Sequence, residues 1–325
     1  MTDETRTLGR TGLKVSLLGL GAGGNSRLGL TLGQDEAHAV DVVRAALDMG
    51  ITMIDTARGY QTERAVGQAL RGWRRDRVVV SSKCFYKDEQ NELLTPQAFA
   101  EGIETSLQEL GLETIDIYFI HGLRLSYYES CLERFLPVLE DARRAGKIRF
   151  IGVTEAFESD TGHEMLKRAV QDHCWDVMMV GFNLLNPSAR QRVLPYTQSK
   201  GIGTLGMFAV RRALIGESWL RTLLLRMAEA VVLGKTAVVD PALATAPDLF
   251  AALGLKGVSE SLSEAAYRFA AYEPGLDCVL SGTSNANHLS DNLQAIQRGP
   301  LPPATITHLA ELFGKVDGFS GQVHL

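Results

Sequence analysis

Eight short apolar runs alternate with stretches of helical periodicity along the chain, and that alternation leaves few folds open. The runs fall at 15–20, 51–54, 77–82, 115–120, 148–153, 176–181, 202–208 and 277–281. Runs of this kind, apolar on both faces and only a few residues long, read as strands of a parallel sheet covered on each side. Helical spacing is expected over 35–49, 62–71, 96–110, 129–145, 162–172, 187–199, 263–272 and 285–297. Gly50, Gly111 and Gly146 stand where helices end, and Thr95-Pro96 reads as an N-cap followed by a first-turn proline. Eight strand–helix units predict a closed (β/α)8 barrel, with residues 1–325 forming a single domain. Residues 5–15 read as a β-hairpin ahead of the barrel. The rhythm breaks over 211–260, where a helix at 218–232 and a proline-containing excursion at 235–258 form an insertion after the seventh strand. A last helix is expected at 303–315.

The competing fold is a doubly wound open sheet, which wants a glycine-rich phosphate loop running from its first strand into a helix. Gly19-Leu20-Gly21-Ala22-Gly23-Gly24 is glycine-rich, but Asn25-Ser26-Arg27-Leu28-Gly29-Leu30 behind it is not the apolar start of a helix. The barrel is therefore the better reading.

The charge balance narrows the partners. Net charge is −5, and no basic run suggests a nucleic-acid surface. Cys84, Cys131, Cys174 and Cys278 lack any CxxC spacing, so neither a zinc site nor a disulfide scaffold is expected, and no metal is implied. The first residues are polar, and no apolar run approaches the ~20 residues of a membrane span. A soluble cytoplasmic protein is the expectation.

Four chemistry-bearing side chains fall at or just beyond the C-terminal ends of successive strands: Asp55, Tyr60, Lys83 and His121. A barrel brings those ends onto one face. A tyrosine titrates near ~10 unless perturbed, and a neighbouring ammonium lowers that value. An aspartate paired to the lysine keeps it charged and oriented, and a histidine beside the phenol can polarise a carbonyl. Together these groups suit protonation of an alkoxide as it forms from a carbonyl. Taken singly, each has an ordinary structural reading: a helix cap, a rim aromatic, an edge charge and a core histidine.

The chain resembles the aldo-keto reductase superfamily along nearly its whole length. The opening hairpin Arg6–Ser16 is similar to that family's. Ile54-Asp55-Thr56-Ala57-x-x-Tyr60 resembles its most specific motif, with Gln61 where glycine is usual. Ser82-Lys83, Ile120-His121, Ala145–Val153, Phe182–Leu185 and the stretch Gly282-Thr283-Ser284 to His288-Leu289 and Asn292 resemble its later blocks. The resemblance implies a (β/α)8 barrel and NAD(P)H-dependent reduction of an aldehyde, ketone or sugar carbonyl, or the reverse oxidation. Tyr60 would be the general acid, Lys83 and Asp55 its tuning pair, and His121 the substrate-orienting group.

The expected cofactor contacts depart from the family pattern. Thr154 and Glu155 stand where a Ser-Asn pair holds the nicotinamide carboxamide, and Met179 stands for a glutamine. A thioether lacks the two-way hydrogen bonding of an amide, and a carboxylate only accepts. Met207 takes the place of the aromatic that stacks on the nicotinamide. Gly282 and His288 replace the lysine and arginine that read a 2′-phosphate, whereas Thr283, Ser284, Asp291 and Asn292 fit the pattern. The resemblance implies NADP(H), and the loss of those cations leaves NAD(H) open. Arg211 and Arg212, after the seventh strand, are candidate replacements for the phosphate contacts. The expected partner is a small carbonyl compound or sugar. Two further readings remain at this point: a non-catalytic cofactor-sensing module, and a lyase or isomerase that uses Tyr60 and Lys83 without a nicotinamide.

Overall fold

The computed structural model describes residues 4–232 and 239–323. Two short strands, β1 (Thr5–Thr7) and β2 (Lys14–Ser16), pair antiparallel with Arg6 opposite Val15. Eight parallel strands then close into a barrel: β3 (Leu18–Gly21), β4 (Met53–Asp55), β5 (Val79–Phe85), β6 (Ile115–Leu123), β7 (Ile148–Glu155), β8 (Val177–Gly181), β9 (Gly203–Met207) and β10 (Cys278–Ser281). β10 pairs with β3 to complete the circle. The strand connections carry α1 (Glu36–Asp48), α2 (Glu63–Leu70), α3 (Pro96–Leu110), α4 (Tyr128–Arg144), α5 (Glu164–Ala169), α6 (Ala189–Arg192) and α7 (Leu194–Lys200). After β9 come α8 (Glu217–Val232), the single turns α9 (Ala242–Thr245) and α10 (Leu249–Ala252), and α11 (Leu262–Ala271). α12 (Ala286–Gln297) and α13 (Pro303–Phe313) follow β10.

The expected architecture stands, with local differences that have physical causes. Val15 belongs to the hairpin, so the first barrel strand begins only at Leu18. The helix expected over 187–199 is two pieces, α6 and α7, with Val193 non-helical between them; Pro195 lacks the N–H that a continuous helix would need there. The helix expected over 162–172 shortens to α5, because His163 is left-handed at φ 62°. Part of the 235–258 excursion, residues 235–238, lies outside the described residues.

The interior is packed in two layers. Leu8, Leu13 and Val15 of the hairpin region join Met53, Val79, Ile117, Phe119, Val177, Met179, Leu205, Cys278 and Leu280 inside the barrel. The hairpin thus plugs the N-terminal end. Its approach is close: a Cβ on Gly9 would sit 2.2 Å from the Gly203 nitrogen, and Gly9 itself has φ +48°, so glycine is required twice over. A larger apolar layer lies between the strands and the helices. With the bottom closed, the C-terminal face is left for chemistry.

That face is partly covered by the chain's own tail. Asn183 and Asn186, just past β8, donate to the carbonyls of Ser320 and Phe319 at 3.1 and 2.9 Å. Arg192 pairs with Asp317 at 2.5 Å, and Ala213 donates to the Gly321 carbonyl at 3.2 Å. The final two residues, 324 and 325, lie outside the described residues. Among the described residues, no helix is long and apolar enough to cross a membrane.

Candidate active site

Register brings the four predicted groups together. Asp55 pairs with Ser81 across β4–β5, so Lys83, two residues further along β5, points to the same side. Phe85 pairs with His121 across β5–β6. Lys83 Nζ lies 2.6 Å from both Asp55 oxygens and donates to the Thr56 carbonyl at 2.9 Å. Ser81 Oγ donates to Asp55 Oδ1 at 2.7 Å. Both partners of the ion pair are buried. Burial is the largest influence on Lys83 and works against its charge, but Asp55 and Tyr60 together outweigh it and hold the ammonium above its ordinary range.

Tyr60 ends a one-turn 3₁₀ helix, Arg58–Tyr60, and its ring sits 5.0 Å from Lys83 Nζ. The ring is held against Gly23, where an added Cβ would come within 2.3 Å of it. Gln61 adopts φ 61°, a left-handed position that glycine occupies without strain. The Tyr60 hydroxyl is 3.4 Å from His121 Nε2, with the two rings edge to face at 5.4 Å. Phe85 stacks on His121 at 4.2 Å, and His121 Nδ1 makes no hydrogen bond among the described residues.

The titration behaviour differs from the expectation in one respect. Lys83 does pull the Tyr60 phenol down, but burial is the larger influence, and the phenol ends above its ordinary value. His121 falls well below the usual imidazole range, through burial first and the Lys83 charge second, so it is neutral at pH 7.

Tyr60 and Asp55 open onto a cleft of about 1090 Å³. Of the candidate cofactor residues, Met179 and Met207 form part of its wall near Tyr60. Arg211, Arg212, Gly282, Thr283, Ser284, His288, Asp291 and Asn292 carry the wall across the ends of β9 and β10 to α12. Thr154 and Glu155 are not on it. Thr154 Oγ1 accepts from the Gly122 nitrogen at 2.7 Å, tying β7 to the end of β6. Glu155 is fully buried; its carboxylate meets His163 Nδ1 at 2.9 and 3.0 Å and the Gly181 nitrogen at 2.6 Å. Burial lifts its pKa above the usual carboxylate value. A carboxylate on an inner strand needs partners, and the left-handed turn at His163 supplies one. Both side chains, expected to face the cofactor, thus spend their polar groups on protein partners away from the cleft wall.

Arg211 is the most enclosed cation of the cleft. It pairs with Glu158, lies 4.0 Å over the Phe208 ring, and has a buried Nε without a hydrogen-bond partner among the described residues. Burial pulls its pKa down to about 10. Arg212 stacks over Trp219 at 4.8 Å. Glu158 and Gln322 also line the cleft, and nothing in their sequence spacing pointed to it. Tyr128, seven residues past His121, is core: its hydroxyl donates to Asp172 at 2.6 Å and accepts from Trp175 at 2.9 Å.

Residues 18–313 match the Aldo/keto reductase family. The chain belongs to that family. It is 30% identical over 220 residues to L-galactose dehydrogenase of Arabidopsis thaliana, covering 66% of this chain and 67% of that protein. It is 31% identical over 212 residues to NADH-specific methylglyoxal reductase of Escherichia coli, covering 60% and 62%. The chain thus spans roughly two thirds of the length of these relatives, which are oxidoreductases. A solved aldo-keto reductase from Bacillus halodurans, in its holo form, shares the fold with a TM-score of 0.70 over 97% of both chains, at 22% identity.

Proposed function

We propose that this protein, acting as a single barrel unit, is a nicotinamide-dependent oxidoreductase that reduces the carbonyl of a small aldehyde, ketone or sugar, or oxidises the corresponding alcohol. The observation that carries the reading is the buried Lys83–Asp55 pair set 5.0 Å from the ring of Tyr60, whose hydroxyl is 3.4 Å from His121. The named activities of its relatives, on a sugar and on a small dicarbonyl compound, agree with the substrate class.

The cleft suits a dinucleotide in its donor set. Arg211 offers a guanidinium with an unpartnered buried nitrogen, and Arg212 a second cation. Thr283 and Ser284, just ahead of α12 where backbone N–H groups favour phosphate, line the same wall as Asn292 within that helix. These residues would hold the diphosphate. Met179 and Met207 would pack on the nicotinamide, which presents a flat face to a thioether. When bound in its reduced form, the cofactor supplies a hydride to the carbonyl carbon.

The protein's own part is the proton. Tyr60 donates its phenolic proton to the oxygen that becomes an alkoxide: the phenol O–H bond breaks and the substrate O–H bond forms. A phenol held above its usual pKa is still far more acidic than an alcohol, so the transfer runs downhill. Lys83 then faces the phenolate it helps to stabilise, and Asp55 keeps Lys83 charged and in place. Neutral His121 fixes the carbonyl oxygen beside the phenol by hydrogen bonding.

The test is consumption of reduced nicotinamide with a panel of small aldehydes, ketones and aldoses. Turnover with at least one member is expected. Dinucleotide binding with no turnover across the panel would instead support a cofactor-sensing module, and absence of binding would support proton-transfer chemistry without a nicotinamide.

A further inference from the structure

The loop that follows β3 carries a cation that the reading above leaves unused. Arg27 is half-buried and makes no hydrogen bond or ion pair among the described residues. Its backbone lies in the left-handed region at φ 44°, and Leu28 follows at φ 58°. Two successive side-chain-bearing residues in that region are strained, and such strain persists only where the surroundings enforce it. The enforcement is visible on both sides of Arg27. Leu28 is fully buried, and the Ser26 carbonyl accepts from the Gly29 and Thr31 nitrogens at 2.7 and 3.3 Å. His38 Nε2 donates to the Ser284 carbonyl at 2.8 Å, tying α1 behind this loop to the residues after β10. Glycine would serve the turn itself better at position 27. The arginine is thus kept in a strained place for its side chain, and that side chain has no protein partner.

Its position relates it to the phenol of Tyr60. Gly23, in the same loop, lies against the Tyr60 ring. Burial acts most on the phenol and Lys83 next, but the Arg27 charge reaches it too and draws its pKa down. Asn25 and Ser26 are on the wall of the long cleft, whereas Arg27 is not. The phenol meets the reacting oxygen and not the diphosphate, so a cation felt there is placed for the substrate. The neighbouring cations are committed: Lys83 to Asp55, Arg211 to Glu158, and Arg212 over Trp219. Beside His121 stands the stacked and exposed ring of Phe85. The space around the phenol is therefore apolar at Phe85 and cationic at Arg27.

We propose that Arg27 pairs with an anionic group, a carboxylate or a phosphate, on the carbonyl compound whose oxygen sits at Tyr60. The inference rests on the reading of the chain as a carbonyl reductase and names the substrate class of that site. A guanidinium meets either oxyanion with two parallel hydrogen bonds. A pinned turn lowers the ordering cost of that pairing. A neutral analogue leaves the guanidinium unpaired, so the site discriminates against it.

Matched substrates test this: short ω-oxo carboxylates against their methyl esters, and glyceraldehyde phosphate against glyceraldehyde. With the wild-type protein and reduced nicotinamide, kcat/KM is expected to favour the anionic member of one pair by about tenfold or more. The pair that shows the preference tells carboxylate from phosphate. The difference is expected in KM, because the pairing is made alike in the ground and transition states. Arg27→Gln is expected to remove the preference and Arg27→Lys to keep part of it. Arg27→Gly separates side chain from fold: it is expected to lose the preference while its thermal midpoint stays near the wild-type value, since glycine relieves the turn. Dinucleotide Kd, measured by fluorescence on the same variants, is expected to stay put. A Kd raised about tenfold with the preference unmoved overturns the proposal and gives Arg27 to the cofactor. Equal kcat/KM within both pairs overturns the anion role while the reductase reading stands; absence of turnover with every member overturns both.

Discussion

At the scale of single residues, the site is held by one ion pair whose cost and value are both large. Lys83 has no water to turn to; its three donors go to Asp55 and the Thr56 carbonyl. Asp55→Asn leaves a buried ammonium without its countercharge, and breaking a buried pair in this way costs about 3–5 kcal/mol. Urea denaturation of the variant at pH 7 is expected to show a loss of that order; a loss within error of zero would mean that Lys83 can leave its site. The pKa direction adds a second expectation. Lys83 is raised in the folded state, so its contribution is complete below its unfolded value near ~10.4 and disappears as pH rises through the folded value. His121 runs the opposite way. Its folded pKa is depressed, so its contribution is present above about 6.5 and is lost as pH falls toward the folded value. Replacing it by glutamine removes that term. The urea midpoint of the wild type is expected to fall more between pH 7.5 and pH 5.5 than that of His121→Gln, and parallel falls would contradict a buried neutral imidazole.

At the scale of elements, the C-terminal tail is the part that shapes the cleft without belonging to the barrel. Its carbonyls are held by Asn183 and Asn186, and Gln322 reaches the cleft wall beside Arg211. Removing residues 315–325 is expected to preserve the circular dichroism of the barrel while weakening dinucleotide binding by about tenfold, through exposure and loosening of Arg211. Unchanged binding would place the tail outside the site. The elements differ in how readable they were. The strands were legible because a strand covered on both faces must be a continuous apolar run, and the helices because glycine stops and a proline start mark their ends. The convergence of Asp55, Tyr60, Lys83 and His121 was legible because closure forces successive strand ends onto one face. Side-chain direction was not. Glu155 sits at a strand end like Asp55, yet turns away to His163, which lies in a left-handed turn with no spacing signal. The split of α6 from α7 turned on Pro195, and the tail's course on two asparagine amides more than a hundred residues away.

At the scale of the whole molecule, the architecture divides labour between its two ends. The hairpin and the interior apolar layer close the N-terminal end, so the barrel has no pore and its rigidity is available to the opposite face. There the cluster of Asp55, Tyr60, Lys83 and His121 sits at the ends of β4, β5 and β6, and a long cleft runs from it over β9 and β10 to α12. By the sequence resemblance, Asp55, Tyr60, Lys83 and His121 follow the family pattern, whereas Met179, Met207, Gly282 and His288 on the walls of the cleft stand at positions that the resemblance assigns to other chemistry. On the proposed function, the reaction type follows from the cluster, and the manner of holding the cofactor from side chains particular to this chain. The central claim is that Tyr60 delivers the proton. Its most direct measurement is kcat for carbonyl reduction by the wild type and by Tyr60→Phe, with dinucleotide Kd measured on both. The account predicts a fall in kcat of about 10²–10⁴ with Kd unchanged; a Tyr60→Phe protein that turns over at the wild-type rate would contradict it.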